Sequence, residues 1–157
     1  MVSSTLKFQL RPVIGEDFQF CWMLYSDLME QLTTELLGGW NEFGQRRVIE
    51  EAMTDGGTSI IVVSGADIGW LQIKETGDGL YLGQLYVVPS IQNRGIGTAV
   101  VLKLCDGAFR ESKSLTLNVM KNNRARSLYE RLGFSTIGSS KYKLNLRWEK
   151  SNQTFGG

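Results

Sequence analysis

The feature that most constrains this chain is the stretch Gln92-Asn93-Arg94-Gly95-Ile96-Gly97, set between two apolar runs, Leu85-Tyr86-Val87-Val88-Pro89 and Thr98-Ala99-Val100-Val101-Leu102. Its order is a strand that stops at a proline, a glycine-bearing turn and the start of a helix. A helix start carries backbone N–H groups without intrahelical partners and a partial positive charge, which suits a phosphate or pyrophosphate. Glycine lets backbone and anion approach closely because no Cβ intervenes.

The flanking pattern predicts a mixed α/β domain. Leu6, Phe8 and Leu10 alternate and give a first strand ending near Pro12. Phe18, Cys21, Trp22, Tyr25, Leu28, Met29 and Leu32 recur at helical spacing, with Asp17 near the helix start. After the loop Leu37–Asn41, a second helix buries Ile49, Ala52 and Met53 and stops near Gly56-Gly57. Strands follow at 59–63 and 68–73, and Gly77-Asp78-Gly79 marks a hairpin into a strand over 80–88. The glycine turn then opens a helix burying Val100, Val101, Leu104 and Ala108. Leu115, Leu117 and Val119 alternate in a strand. Ala125, Leu128, Tyr129 and Leu132 share a helical face, with Gly133 in the left-handed C-terminal position. Strands at 134–137 and 142–146 close the order β-α-α-β-β-β-α-β-α-β-β. A single domain over 1–148 and a polar tail over 149–157 are expected.

Composition removes several chemistries. The 157 residues contain no histidine, so imidazole bases, Ser-His-Asp triads and histidine-ligated metals are impossible. The two cysteines, Cys21 and Cys105, lack metal-ligand spacing and sit in apolar helical patterns as small core residues; no metal is expected. A net charge of +1 gives no field that would draw nucleic acid or an anionic membrane. No apolar run reaches the roughly 20 residues of a membrane span, and the start of the chain lacks the pattern of a signal peptide. The expected compartment is the cytoplasm.

The owner of the phosphate turn narrows by elimination. A Walker loop needs Gly-Lys followed by Ser or Thr, and Gly97 is followed by Thr98. A dinucleotide fingerprint needs a third glycine where Val100 stands. The pattern Gln92-x-x-Gly95-x-Gly97 after Val87-Val88-Pro89 resembles instead the acetyl-CoA loop of the GCN5-related N-acetyltransferases (GNAT). The stretch from Asn118 through Asn123, Ala125, Leu128-Tyr129-Glu130 and Gly133-Phe134 resembles that family's second signature, in the expected order and separation. The resemblance covers nearly the whole chain. It implies the acyl-CoA N-acyltransferase fold, with a central, splayed, mostly antiparallel sheet. It also implies transfer of an acetyl group from acetyl-CoA to an amine of a small molecule or a protein, through a ternary complex, by a monomer or a homodimer.

Residue roles follow from the resemblance. Backbone groups of Tyr86, Val87 and Val88 would pair with the pantetheine arm of coenzyme A, and Val87 N–H would face the oxyanion. Gln92, Asn93, Arg94, Gly95, Ile96, Gly97 and Thr98 would cradle the pyrophosphate. Asn118, Asn123, Ala125 and Tyr129 would line the cofactor, Asn123 reading equally as a helix N-cap. Arg124 or Lys121 could reach the adenosine phosphates; Arg46, Arg47, Arg124 and Arg126 otherwise read as solvated faces. Tyr129 would serve the departing thiolate as general acid, against the plainer reading of a core tyrosine. Gln84 stands where many relatives carry a glutamate base. An amide cannot take the ammonium's proton, though it can orient water or substrate. That leaves water, Glu75, Tyr81, a carboxylate of the first two helices, or an amine of low pKa. Trp40 and Glu42, with Asn41 and Phe43, offer aromatic surface and a carboxylate for a cationic acceptor, and Tyr142 is a further candidate there. Trp40 and Phe43 read equally as packing residues. A non-catalytic acyl-CoA-binding module and a nucleotide-binding protein are the competing readings.

Overall fold

The structure, a computed structural model, describes residues 7–77 and 79–149. Leu6, Asp78 of the hairpin signal and the tail beyond Glu149 lie outside them. Two compact units divide the chain: unit 1 runs up to Ile73 and includes Gln84–Gly97, and unit 2 comprises Lys74–Gly83 and the chain from Thr98 on. The predicted element order is the observed one, β1 (Gln9–Pro12), α1 (Phe18–Leu37), α2 (Glu42–Thr54), β2 (Thr58–Val63), β3 (Ala66–Thr76), β4 (Gly79–Val87), α3 (Ile96–Arg110), β5 (Ser114–Met120), α4 (Ala125–Arg131), β6 (Ser135–Ser139) and β7 (Lys143–Trp148). The strands form one mixed sheet in the order β1-β2-β3-β4-β5-β7-β6.

In unit 1, β1 pairs antiparallel with β2 and β2 with β3, placing Ile60 opposite both Arg11 and Trp70. The run Ile68-Gly69-Trp70-Leu71-Gln72 is buried throughout, so both faces of β3 are covered there. Gly69 is required by close approach: a Cβ would lie 2.3 Å from the Tyr86 carbonyl oxygen. Helices α1 and α2 supply Cys21, Trp22, Leu24, Tyr25, Ile49 and Ala52 to a core that also holds Ile60 and Trp70. Helix α1 runs five residues past the last periodic residue, Leu32, and ends where Gly38 turns left-handed (φ 86°). Helix α2 starts under an Asn41 cap, whose Oδ1 accepts from Gly44 N–H at 3.1 Å.

Asp17 stands at the start of α1, as the spacing places it, but makes no side-chain hydrogen bond to that helix. Its carboxylate accepts two hydrogen bonds from the Arg11 guanidinium, at 3.0 and 2.8 Å, and one from Ile14 N–H at 2.9 Å. Arg11 also reaches Asp67 at 3.0 Å, so one guanidinium ties β1 to the turn before α1 and to β3. The Arg11 hydrogen bonds hold the Asp17 carboxyl below its usual range against the opposing effect of burial. A carboxyl whose folded pKa is depressed contributes stability above its unfolded pKa, near 3.9, and loses it as pH falls through the folded value. Asp17→Asn is therefore expected to lower the Tm at neutral pH by a few degrees. Thermal melts at descending pH should show this deficit closing below about pH 4; a deficit independent of pH would mean that the Arg11 pair contributes nothing.

In unit 2, the first half of β4 pairs parallel with β5, from Gly79↔Ser114 to Leu82↔Leu117. The connection through α3 is the long crossover that parallel strands need. This ladder ends at Leu82 although β4 runs on to Val87. β5 then pairs antiparallel with β7, and β7 with β6. Helix α3 buries Val100, Val101, Cys105 and Ala108, with Cys105 in the place the periodicity gave to Leu104. Helix α4 stops before Gly133, whose φ of 104° bears out the left-handed position expected of it.

Candidate functional site

Unit 1 carries the turn. Val88 N–H donates to Ile68 O at 2.8 Å, and Val88 O accepts from Ile91 N–H and Gln92 N–H at 3.0 and 3.2 Å. Both backbone groups of Val88, expected to face pantetheine, are thus engaged within unit 1. The Gln92 side chain does not extend away from the turn: its Nε2 donates to Val87 O at 2.8 Å and ties the turn to the end of β4. Asn93 (φ 71°) and Gly95 (φ 83°) are both left-handed, and alternation of hand along a turn makes successive N–H groups converge on an anion. Gln92 through Gly95 are exposed, while Ile96 is buried and pins the helix start. No protein atom lies within 4 Å of a Cβ built on Gly95, so its conformation, rather than crowding, demands glycine. Gly97 and Thr98 are already helical. An exposed turn of this hand at the head of a 15-residue helix fits a pyrophosphate.

The second half of β4 carries Gln84 and Tyr86 on one face, two residues apart. Tyr86 donates its hydroxyl to Gln84 Oε1 at 2.6 Å, leaving the Gln84 NH2 group without a partner among the described residues. The Tyr86 ring meets Tyr25 edge-on at 5.3 Å and Trp70 at 5.2 Å. Tyr25 packs in turn on Trp22 and Trp40, at 6.1 and 5.8 Å, and donates its hydroxyl to Gln45. Burial raises the Tyr25 pKa. Trp40 lies 6.2 Å from Trp22 and, partly buried, packs against the core of unit 1. Glu42 and Phe43 are exposed, Phe43 at 73%. Arg46 is not a solvated face: its guanidinium lies 4.9 Å from the Phe18 ring and 5.3 Å from the Trp22 ring, while Arg47 is exposed.

Unit 2 carries the second signature. Tyr129 is buried, its ring edge-on to Phe134 at 5.5 Å, and its hydroxyl has no hydrogen-bond partner among the described residues. Burial pushes its pKa up to about 12. Asn123 Oδ1 accepts from Ala125 N–H at 2.9 Å, one residue ahead of the Arg124 N-cap of α4, so the side-chain oxygen is engaged at the helix start and the NH2 group is left for a ligand. Asn118 is exposed on β5, and its Nδ2 donates to the Tyr81 hydroxyl at 3.2 Å. Tyr81 has its pKa raised by burial, which makes it a poor base, and Glu75 is 3.4 Å from Lys113 in an ion pair. Arg124 and Lys121 are exposed, and Arg126 pairs with Glu130 at 3.0 Å. The Tyr142 carbonyl accepts from Lys121 N–H, and Lys141 lies over the Tyr142 ring.

Both cysteines are buried and unpaired, and burial pushes each thiol up to about 12. Neither is a thiolate nucleophile at neutral pH. Among the described residues no group of three or more Cys, Asp or Glu is placed to hold a metal. Two buried donors on β3 carry no motif signal: Trp70 Nε1 and Gln72 Nε2 have no hydrogen-bond partner among the described residues.

Comparison with known proteins agrees with these features. Residues 22–134 match the acetyltransferase (GNAT) family. A thialysine N-ε-acetyltransferase of Mus musculus is 34% identical over 76 residues, a match spanning 47% of this chain and 45% of that protein. The chain thus aligns with less than half of that relative's length. Among solved structures, a PaiA N-acetyltransferase from Thermoplasma acidophilum in complex with coenzyme A superposes with a TM-score of 0.66 at 14% identity, covering 92% of this chain and 99% of that one. A GNAT-family acetyltransferase from Streptococcus agalactiae gives 0.74 at 11% identity, covering 93% and 99%; likenesses at such identity speak for the fold. With the signature turn, the strand order and a family match over most of its length, the chain belongs to the GNAT acetyltransferase family.

Proposed function

We propose that this chain is an acetyl-CoA-dependent N-acetyltransferase in which a primary amine, of a small molecule or a protein, attacks the thioester directly in a ternary complex. The observation that carries the reading is the turn from Val88 to Gly95, tied by Gln92 to β4 and opening α3 with two left-handed residues. Acetyl-CoA, when bound, supplies the activated acetyl group. In unit 1 the turn that opens at Asn93 would hold its pyrophosphate, and backbone groups of Tyr86 and Val87 would hold its pantetheine amides; in unit 2 the Asn123 NH2 group, with Asn118 and Ala125, is what the family resemblance assigns to the cofactor. Val87 N–H stabilises the oxyanion as a preorganised donor. Cysteine thiols buried and pushed up to about 12 supply no acyl-enzyme route, which favours direct attack.

Tyr129 acts on the leaving thiol. A phenol near 12 holds its proton more tightly than a thiol near 8.5, so Tyr129 hydrogen-bonds to the developing thiolate rather than surrendering its proton outright. Gln84 cannot accept the ammonium proton and orients the acceptor instead. No described helix is long and apolar enough to cross a membrane, and we place the enzyme in the cytoplasm.

The test is thiol release from acetyl-CoA against a mixed amine library, with mass spectrometry of the products and calorimetry of coenzyme A binding. Turnover with an amine supports the enzyme; tight binding without turnover would favour a non-catalytic acyl-CoA-binding module, the reading that Gln84 motivates. Gly95→Val forces a β-branched residue to φ 83°, at a strain of about 1–3 kcal/mol. It is expected to weaken coenzyme A binding about tenfold or more; unaltered binding would place the pyrophosphate elsewhere.

A further inference from the structure

Within unit 1, a set of side chains carries hydrogen-bond donors that have no acceptor among the described residues. Trp70 Nε1 and Gln72 Nε2 are buried without acceptors, and the two residues share a face of β3 because they are two apart. Trp70 touches the Tyr86 ring, and Tyr86 occupies the Gln84 carbonyl, which leaves the Gln84 NH2 group as a further unused donor. A buried donor without an acceptor costs about 1–3 kcal/mol, and native proteins keep few of them. The polar partners named for the Tyr86 and Tyr25 hydroxyls are the neutral amides of Gln84 and Gln45. Neither is a carboxylate. The titratable groups among the rings that lead to Gln84 are the Tyr25 and Tyr86 phenols, and the Tyr25 phenol is held protonated by burial.

We propose that the acceptor is a weakly basic amine with a carbonyl beside it, the class of α-aminoacyl compounds that includes peptide N-termini, selected by the N–H donors of Gln84, Trp70 and Gln72. The proposal rests on the N-acetyltransferase reading and names its substrate class. The two properties coincide in one chemistry. An α-amino group has a pKa near 7.7–8.0 against about 10.4 for a lysine-type amine, so a large share arrives as free base without a protein base. Its neighbouring carbonyl supplies the acceptor that the donors lack. An ammonium presents donors only and would meet donors.

The experiment compares kcat/KM, corrected to free-base concentration, for glycinamide and a short peptide against n-propylamine and 2-(methylthio)ethylamine, which keeps the side-chain amine of thialysine, the compound in the mouse relative's name, without its α-amino group. The aminoacyl amides should exceed the alkylamines about tenfold, the worth of one good hydrogen bond. Gln84→Met, which keeps the length and removes the donor, should narrow that ratio to about threefold or less. Gln84→Glu, which keeps an oxygen for Tyr86 and adds a negative charge, should turn the preference toward the alkylamines. Parallel thermal melts and coenzyme A calorimetry establish that each variant is folded. Equal use of alkylamines by the natural protein, or an unchanged ratio in both variants, overturns the proposal and leaves the enzyme reading standing. Silence with every amine overturns both.

Discussion

Tyr129→Phe should lower kcat about a hundredfold, within the range that one preorganised hydrogen-bond donor to a developing anion contributes, while the amine's KM and the unfolding midpoint hardly move. The last part is the discriminating one. Tyr129 is a buried ring whose hydroxyl bonds to nothing among the described residues, and deleting a hydroxyl without a protein partner is close to neutral for stability. A core tyrosine predicts unchanged turnover, and a tyrosine that anchors α4 predicts a lower melting point. Only a hydroxyl that serves the departing thiolate predicts a slow enzyme with a normal melt. Because burial pushes the phenol up to about 12, it remains a donor throughout the range in which an amine is assayed. Loss of rate on the alkaline side should therefore not track phenol ionisation. Steady-state thiol release and a melt on the same preparation decide the matter, and full activity in the variant would return Tyr129 to the core.

The order of elements was legible because each apolar period is local. Alternation in 115–119 and helical spacing from Phe18 to Leu32 need no tertiary information, and Gly133 announces the end of α4 by its own stereochemistry. Element lengths were less legible. The last turn of α1 holds the exposed Glu35 and Leu37, so no periodicity marks it and only Gly38 ends it. In the candidate site, the Gln84–Tyr86 pair could have been read from period-two spacing on one strand. Arg46 could not: a charged dipeptide looks solvated until α1 brings Phe18 and Trp22 beneath one of its members. The donors of Trp70 and Gln72 were equally hidden. Their lack of partners is a property of what surrounds them, and strand propensity reports only that they sit in a buried run. Gln92 shows the same limit at short range, since its signature position suggested a ligand contact while its amide closes on Val87 O, five residues back.

Trp70→Ala is expected to cost about 3–5 kcal/mol, the usual loss for truncating a buried tryptophan, from a total stability of about 5–15 kcal/mol. The side chain is fully buried, opposite Ile60 in the β2–β3 ladder and 5.2 Å from the Tyr86 ring. Its loss opens a cavity beneath the residue that orients Gln84. Trp70→Phe separates packing from polarity at the same position. It keeps an aromatic face toward Tyr86 and deletes an indole N–H that finds no acceptor in the protein, so the volume lost is partly offset by a donor no longer stranded. Urea titrations should place the phenylalanine variant at least about 2 kcal/mol above the alanine variant. If both fall equally, the indole N–H is satisfied in solution and Trp70 holds β3 by hydrogen bonding. If the alanine variant loses less than about 1 kcal/mol, the core of unit 1 collapses onto the gap. The phenylalanine variant also carries the link from fold to chemistry. A protein that is nearly as stable as the natural one, yet has lost part of its preference for aminoacyl amides, would show that a buried donor was kept for a ligand and at the expense of stability.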